Sequence, residues 1–318
     1  MSRTMRILAF CAVGAALFVA VDRLLWFGLH RARANTFAVW NAIIRGDIGS
    51  EILVVGGSRA LVGYDCAILS ARLSMSCFNI GLDGTTANFQ RPYLETYLLH
   101  NKAPRLAIVN ADVGSLTEYL EPYDLLQYIP YLDERPISDG LARYLDVWKY
   151  RYIPLYAFSQ RGLNQTMIAL GGIRNGRNHD PDRLAHQGLR PMDGPWDNAF
   201  EEYVADNPDG ILIAIDPVGV SDFERIITML QASGADVVIV FSPEWLPVRR
   251  LELNREQVMH QFLALAAAHR VRFLDYSDSA PAGNQSLFYN SQHLNRRGAK
   301  AFTTILASDL SEVITNEN

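Results

Sequence analysis

Five short runs rich in Val, Ile, Leu and Phe, separated by segments with helical spacing, constrain this chain to an α/β architecture. The runs are EILVV (51–55), CFNI (77–80), RLAIVNA (105–111), ADVVIVFS (235–242) and VRFLDYS (271–277). Continuous apolar runs of this length suit strands covered on both faces. Helical spacing recurs between them at 66–73, 91–100, 220–233, 254–269 and about 297–313. Phe223, Ile226, Ile227 and Leu230 share one helical face, as do Val258, Phe262, Leu265 and Ala266. Strand alternating with helix predicts a parallel sheet with helices on both sides, joined by right-handed crossovers.

The N-terminus carries a different signal. Residues 7–21, ILAFCAVGAALFVAV, contain no charge, and LLWFGL (24–29) resumes the run after Asp22 and Arg23. A cleaved signal peptide, a signal anchor and a buried helix all fit such a run. An anchor is preferred, because the two stretches together approach the roughly 20 residues a bilayer needs. Trp26 suits an interface, Arg23 can snorkel, and no clean small-residue cleavage site closes the run. Arg3 and Arg6 precede the segment and Arg31 and Arg33 follow it, so charge does not settle orientation. The simpler arrangement is a single-pass inner-membrane protein with a short tail and an extracytoplasmic main domain. Cys11 reads as a small hydrophobe in this segment. Cys66 and Cys77 are either disulfide-bonded or two free thiols, and their spacing fits no zinc pattern.

The expected layout is therefore an anchor and flank over 1–33 and a main domain over 34–318. A long insertion at about 113–216 breaks the strand–helix rhythm. YLEPYDLLQYIPYLDERP (119–136) is aromatic and turn-prone, and GGIRNGRNHDPDRLAHQG (171–188) reads as loop. Insertions of that length are usually functional or form a subdomain. With 318 residues and a net charge of −5, the chain offers no basic signature of nucleic-acid binding.

Ligands of open α/β sheets bind beyond the carboxyl ends of the strands. Gly56-Gly57-Ser58-Arg59-Ala60 follows the first run. A serine hydroxyl at that tip is either a nucleophile or a helix N-cap. Arg59 reads as a solvated arginine or a contact for an anionic substrate. Asn79-Ile80-Gly81-Leu82-Asp83-Gly84-Thr85-Thr86 follows the second run, where Gly84 either offers a backbone N–H to an oxyanion or merely turns the chain. Phe288-Tyr289-Asn290-Ser291-Gln292-His293 precedes the last helix and places a histidine where a general base is needed. His30, His100, His179, His186, His260 and His269 have no comparable setting and read as solvated or packed.

Taken in order, these blocks resemble the SGNH (GDSL-like) hydrolase and acyltransferase superfamily. VVGGSRA (54–60) is similar to its nucleophile block, NIGLDGTT (79–86) to its second block, and FYNSQHLNRRGAKAFT (288–303) to its histidine block. SPEWLPVRR (242–250) fits a proline-bearing loop of the family. The resemblance spans about 51–312 outside the insertion. It implies a flavodoxin-like three-layer sandwich around a five-stranded parallel sheet. It also implies Ser58 as nucleophile, His293 as base and Gly84 as oxyanion donor, with no metal and no cofactor.

Two departures stand out. The third block reads Val109-Asn110-Ala111-Asp112, with Asn110 as the candidate oxyanion amide, and Asn290 occupies the position of the family's aspartate. Asn can orient an imidazole but cannot neutralise imidazolium; Asp275 or Asp278 is the alternative acid. Two functions follow. One is O-acyl transfer to, or removal from, an envelope polysaccharide or other acylated substrate, alongside a membrane-embedded acyltransferase partner. The other is a catalytically inactive scaffold or carbohydrate-binding subunit. A third reading, a nucleotide-binding flavodoxin-like domain, carries little weight, since no Gly-x-Gly-x-x-Gly follows a strand and no Gly-Lys-Ser/Thr loop exists.

Overall fold

The structure is a computed structural model that describes residues 2–33, 35–161, 163–174, 183–194, 196–197 and 199–316. In chain order its elements are α1 (Arg3–Arg31), α2 (Asn35–Ile44), β1 (Ile52–Val55), α3 (Ser58–Gly63), α4 (Cys66–Leu73), β2 (Cys77–Asn79), α5 (Ala87–His100) and β3 (Leu106–Ala111). Then come α6 (Arg135–Leu141), α7 (Val147–Tyr152), α8 (Tyr156–Arg161), α9 (Leu163–Arg174), α10 (Ala199–Asp206), α11 (Pro217–Ala232) and β4 (Asp236–Phe241). The chain closes with α12 (Arg255–His269), β5 (Arg272–Asp275), β6 (Phe288–Asn290), β7 (His293–Leu294) and α13 (Arg296–Asn316). It divides into a helical unit, residues 1–41 with 124–182, and a sheet unit, residues 42–123 with 183–318.

In the sheet unit five parallel strands lie in the order β2-β1-β3-β4-β5. Strand alternation sorts the core. Ile52, Val54, Leu106, Ile108, Val238 and Val240 face α3, α4 and α13, where they meet Tyr64, Leu69, Phe302 and Leu306. Residues of opposite parity face α5, α11 and α12; there Phe241 and Phe223 both pack on Phe262. Both faces are thus covered, which is why the strands read as continuous apolar runs. Cys66 at the start of α4 is disulfide-bonded to Cys77 at the start of β2. The edge of β2 is covered by the returning arm of the insertion, where the Asn79 N–H donates to the Gln187 carbonyl (2.9 Å).

The helical unit explains why a charge interrupts the apolar N-terminal run. Asp22 is buried, and its carboxylate accepts from Trp26 Nε1 (3.2 Å) and the Leu155 N–H (2.8 Å). Asn41 Nδ2 donates to the Leu29 and Ala32 carbonyls at the end of α1, while its Oδ1 accepts from the Tyr131 hydroxyl. Residues 163–174, which include two glycines expected to sit in a loop, form α9; of the rest of that expected loop, 183–188 are turn, and 175–182 with His179 lie outside the described residues. The glycines serve a helix crossing. A Cβ on Gly28 would stand 2.1 Å from the Ala169 carbonyl oxygen, and one on Gly172 1.9 Å from that of Gly28. Gly28→Val is therefore expected to force α1 from α9 and lower the melting temperature of the detergent-solubilised protein by several degrees, whereas Gly14→Val, in open space, leaves it unchanged.

Candidate active site

The strand order reverses direction between β1 and β3, the point at which doubly wound sheets open a crevice. Ser58 lies there, three residues beyond the end of β1 and at the first position of α3. The second loop closes on the same turn. The Leu82 N–H donates to the Gly56 carbonyl (3.0 Å), and the Thr85 carbonyl packs against Gly57. From the far end of the chain, the β6–β7 hairpin brings in Asn290 and His293.

A continuous hydrogen-bond chain joins these residues. Ser58 Oγ lies 2.7 Å from His293 Nε2, and His293 Nδ1 lies 2.9 Å from Asn290 Oδ1. The Asn290 amide has a fixed orientation, because its Oδ1 also accepts from the backbone N–H groups of Gln292 (3.1 Å) and His293 (2.9 Å). An oxygen facing Nδ1 requires Nδ1 to carry the proton. Nε2 is then the bare acceptor, and the Ser58 hydroxyl donates to it. That is the tautomer a general base needs. Asp275 instead caps the Ser277 N–H, and Asp278 pairs with Arg249, so neither takes the aspartate's place.

The electrostatics keep this imidazole neutral. Burial, and then the nearby positive charge of Arg59, push the His293 pKa down to about 4, while Asp83 pulls weakly the other way. Tyr289 stacks on the ring, with centroids 5.4 Å apart.

Arg59 is not a solvated side chain. It is buried, and its Nη2 donates to Oε2 of Glu244, which is itself fully buried. Burial disfavours the Arg59 charge, but Glu244 and Asp112 more than offset this and raise its pKa. Glu244 also pairs with Arg255, which in turn reaches Glu252 and Ser277. Burial pushes the Glu244 carboxyl up, and the two guanidinium groups pull it lower still. Glu244 lies in the SPEWLPVRR loop, and its role was not visible from that motif.

Asn110 is buried at the end of β3. Its Oδ1 accepts from the Tyr64 hydroxyl (2.8 Å), and its Nδ2 lies 3.5 Å from Asp112 Oδ2. Among the described residues neither Asn110 nor Arg59 hydrogen-bonds to Ser58 or His293. Gly84 sits at φ +59°, and a Cβ there would collide with the Tyr123 side chain at 2.3 Å. Glycine is the residue that fits both the left-handed backbone and this contact.

The insertion's returning arm crosses the same region. The Arg190 N–H donates to the Leu61 carbonyl, Arg190 pairs with Asp83 (2.7 Å), and the Asp197 N–H donates to the Tyr289 carbonyl. Arg183 holds the start of this arm, donating to the carbonyls of Gly188 and Gly81. Burial, the largest cause, lowers its pKa to about 10.

No family model matches the sequence. No curated protein matches it either. Among solved structures the chain is similar to a protein from Desulfitobacterium hafniense DCB-2 ascribed to the lipolytic G-D-S-L family. Identity is 10% and the TM-score 0.40, over 81% of this chain and 97% of that one. It is also similar to a family two carbohydrate esterase from Clostridium thermocellum, solved with cellohexaose, at 10% identity and a TM-score of 0.40, over 84% of this chain and 66% of the other. A protein from Bacteroides fragilis NCTC 9343 ascribed acylhydrolase activity is similar at 10% identity and a TM-score of 0.38, over 82% and 86%. These likenesses concern the fold alone. The sheet unit, with its five parallel strands flanked by helices, is an α/β fold.

Proposed function

We propose that this protein is an SGNH-type ester-transfer enzyme of the cell envelope, acting on acyl groups of a surface polysaccharide through Ser58 and His293. The observation that carries the reading is the Ser58–His293–Asn290 hydrogen-bond chain, with its tautomer set by two backbone N–H groups. In the first half-reaction Ser58 Oγ attacks the acyl carbonyl as its proton passes to His293 Nε2. The bond to the leaving oxygen breaks, and the imidazolium returns the proton to that oxygen. In the second half-reaction a sugar hydroxyl or water attacks the serine ester, with His293 again taking and returning one proton. The backbone N–H groups of Ser58 and Gly84 are the proposed oxyanion donors.

Two features support the envelope setting. The Cys66–Cys77 disulfide fits an oxidising compartment. In addition, α1 is long and apolar enough to cross a membrane, with a mean hydropathy of 2.1 over its most apolar stretch. That helix is also compatible with a signal sequence, and the anchor reading is part of the proposal. A membrane-embedded acyltransferase is the proposed partner.

Asn290 at the acid position favours a second reading, a catalytically inactive scaffold or carbohydrate-binding subunit. A fluorophosphonate probe separates the two. The full chain in detergent is expected to be labelled at Ser58 and to cleave a nitrophenyl acyl ester, with Ser58→Ala abolishing both. Absence of labelling and turnover in the wild type supports the scaffold.

A further inference from the structure

We propose that one face of the helical unit, formed by α7 and the outward stripe of α9, rests on an anionic lipid bilayer beside the point where α1 enters it. The proposal depends on α1 spanning the membrane, and the test below separates the two.

The argument begins with length. The body of the unit takes hold of α1 at Asp22, and Leu25, Gly28 and Leu29 are buried beyond it. The uncharged, outward-facing apolar stretch before that point, residues 7–21, covers about 22 Å at 1.5 Å per residue. A hydrocarbon core is about 30 Å thick. The lipid must therefore extend to the level of Leu24 and Phe27, which remain 49% and 51% exposed. At that level α9 lies alongside α1, as the Gly28–Ala169 and Gly172–Gly28 approaches require.

The flanking surface has the corresponding chemistry. Along α9, Gln165, Ala169 and Gly172 are buried, whereas Met167 (64%) and Leu170 (46%) face outward. On α7, none of whose residues is buried, Trp148 and Tyr152 are 54% and 70% exposed, and Ile153 follows at 40%. Lys149 lies over the Trp148 ring and Arg151 over that of Tyr152. Exposed aromatics interleaved with cations characterise segments that sit at lipid headgroups.

Net charge points the same way. The helical unit holds 12 Lys and Arg against 8 Asp and Glu, a balance of +4, while the sheet unit holds 17 against 26, a balance of −9. An anionic surface attracts the first and repels the second.

The test uses the full chain with Cys11→Ser, reconstituted in phosphatidylglycerol–phosphatidylcholine vesicles and nitroxide-labelled at one engineered cysteine. Phe10→Cys probes the α1 reading, Met167→Cys and Trp148→Cys probe the face, and Leu212→Cys, exposed in the sheet unit, is the aqueous control. The ratio of collision with oxygen to collision with a water-soluble nickel chelate is expected to be several-fold higher at 10, 167 and 148 than at 212. In vesicles of phosphatidylcholine alone the ratio at 148 is expected to fall. If position 10 is protected while 167 and 148 match 212, α1 spans but the proposed face lies in water, and the proposal is overturned. If 167 and 148 are shielded from both reagents, a protein rather than lipid covers the face, which also overturns it. If position 10 itself matches 212, the anchor reading fails and the proposal fails with it.

Discussion

Glu244→Gln is expected to lower the melting temperature of the detergent-solubilised protein by roughly 10 °C. The carboxylate is fully buried and holds two guanidinium groups. Arg255 has Glu252 and Ser277 to fall back on, but Glu244 is the only carboxylate among the described residues that is ion-paired with Arg59. Arg59 Nη1 already lacks a hydrogen-bond partner among those residues. Removing one member of a buried pair strands the other charge in a low-dielectric site at a cost of about 3–5 kcal/mol. For a domain of this size each kcal/mol shifts the melting temperature by about 2–4 °C. If the damage comes from a stranded cation, adding Arg59→Met to Glu244→Gln should recover part of the loss. A double variant as unstable as the sum of both singles would mean that packing, and not charge, is what the pair provides. The effect also has a pH signature. Because the folded carboxyl titrates below its ordinary 4.5, its contribution is present above that value and is lost as pH falls through the lowered one. Glu244→Gln removes that acid limb.

This buried network marks the boundary of what the sequence made legible. The central strands were readable because burial on both faces leaves them an uninterrupted apolar run, as at 52–55 and 237–241. Ser58 and His293 were legible as a pair because the blocks that carry them, one after the first strand and one ahead of the last helix, together resemble those of one superfamily. Arg59 was not, because the group that permits its burial lies 185 residues away. A charged side chain considered with only its sequence neighbours defaults to solvent. Arg183 follows the same logic, with carbonyls of the arm and the second loop as its partners among the described residues. The helix over Leu163–Arg174 was hidden by Gly171-Gly172, whose local meaning is a break. Its actual use, the close approach of α9 to α1, depends on a partner helix some 140 residues earlier. Asn290 was recognised as a departure from the family pattern, but its consequence was obscure until the two backbone N–H groups that fix its amide were in place.

Those two N–H groups determine what an acid at this position should add. Asn290→Asp is expected to raise kcat/KM for ester cleavage by roughly thirtyfold, and to move the acidic limb of the pH profile upward. In the serine-protease triad, changing the corresponding aspartate to asparagine costs about 10⁴ in turnover, largely because the imidazole is left in the wrong tautomer. Here the amide oxygen already faces Nδ1, so the wild-type tautomer is correct. What is missing is only the negative charge that would stabilise imidazolium once Ser58 has given up its proton. A carboxylate in hydrogen-bond contact, screened by the two N–H groups it inherits, is worth about 2 kcal/mol at an effective protein dielectric, hence the estimate. The same charge opposes the burial and the Arg59 field that now hold the His293 pKa at about 4. Wild-type activity should therefore stay on its plateau down to mildly acidic pH, because the base is already unprotonated there. The variant should lose activity at higher pH, as its histidine binds a proton sooner. Measuring the rate of fluorophosphonate labelling against pH for both proteins tests the two expectations independently of substrate. A variant that is slower, or one whose acidic limb does not move, would show that His293 does not accept the serine proton.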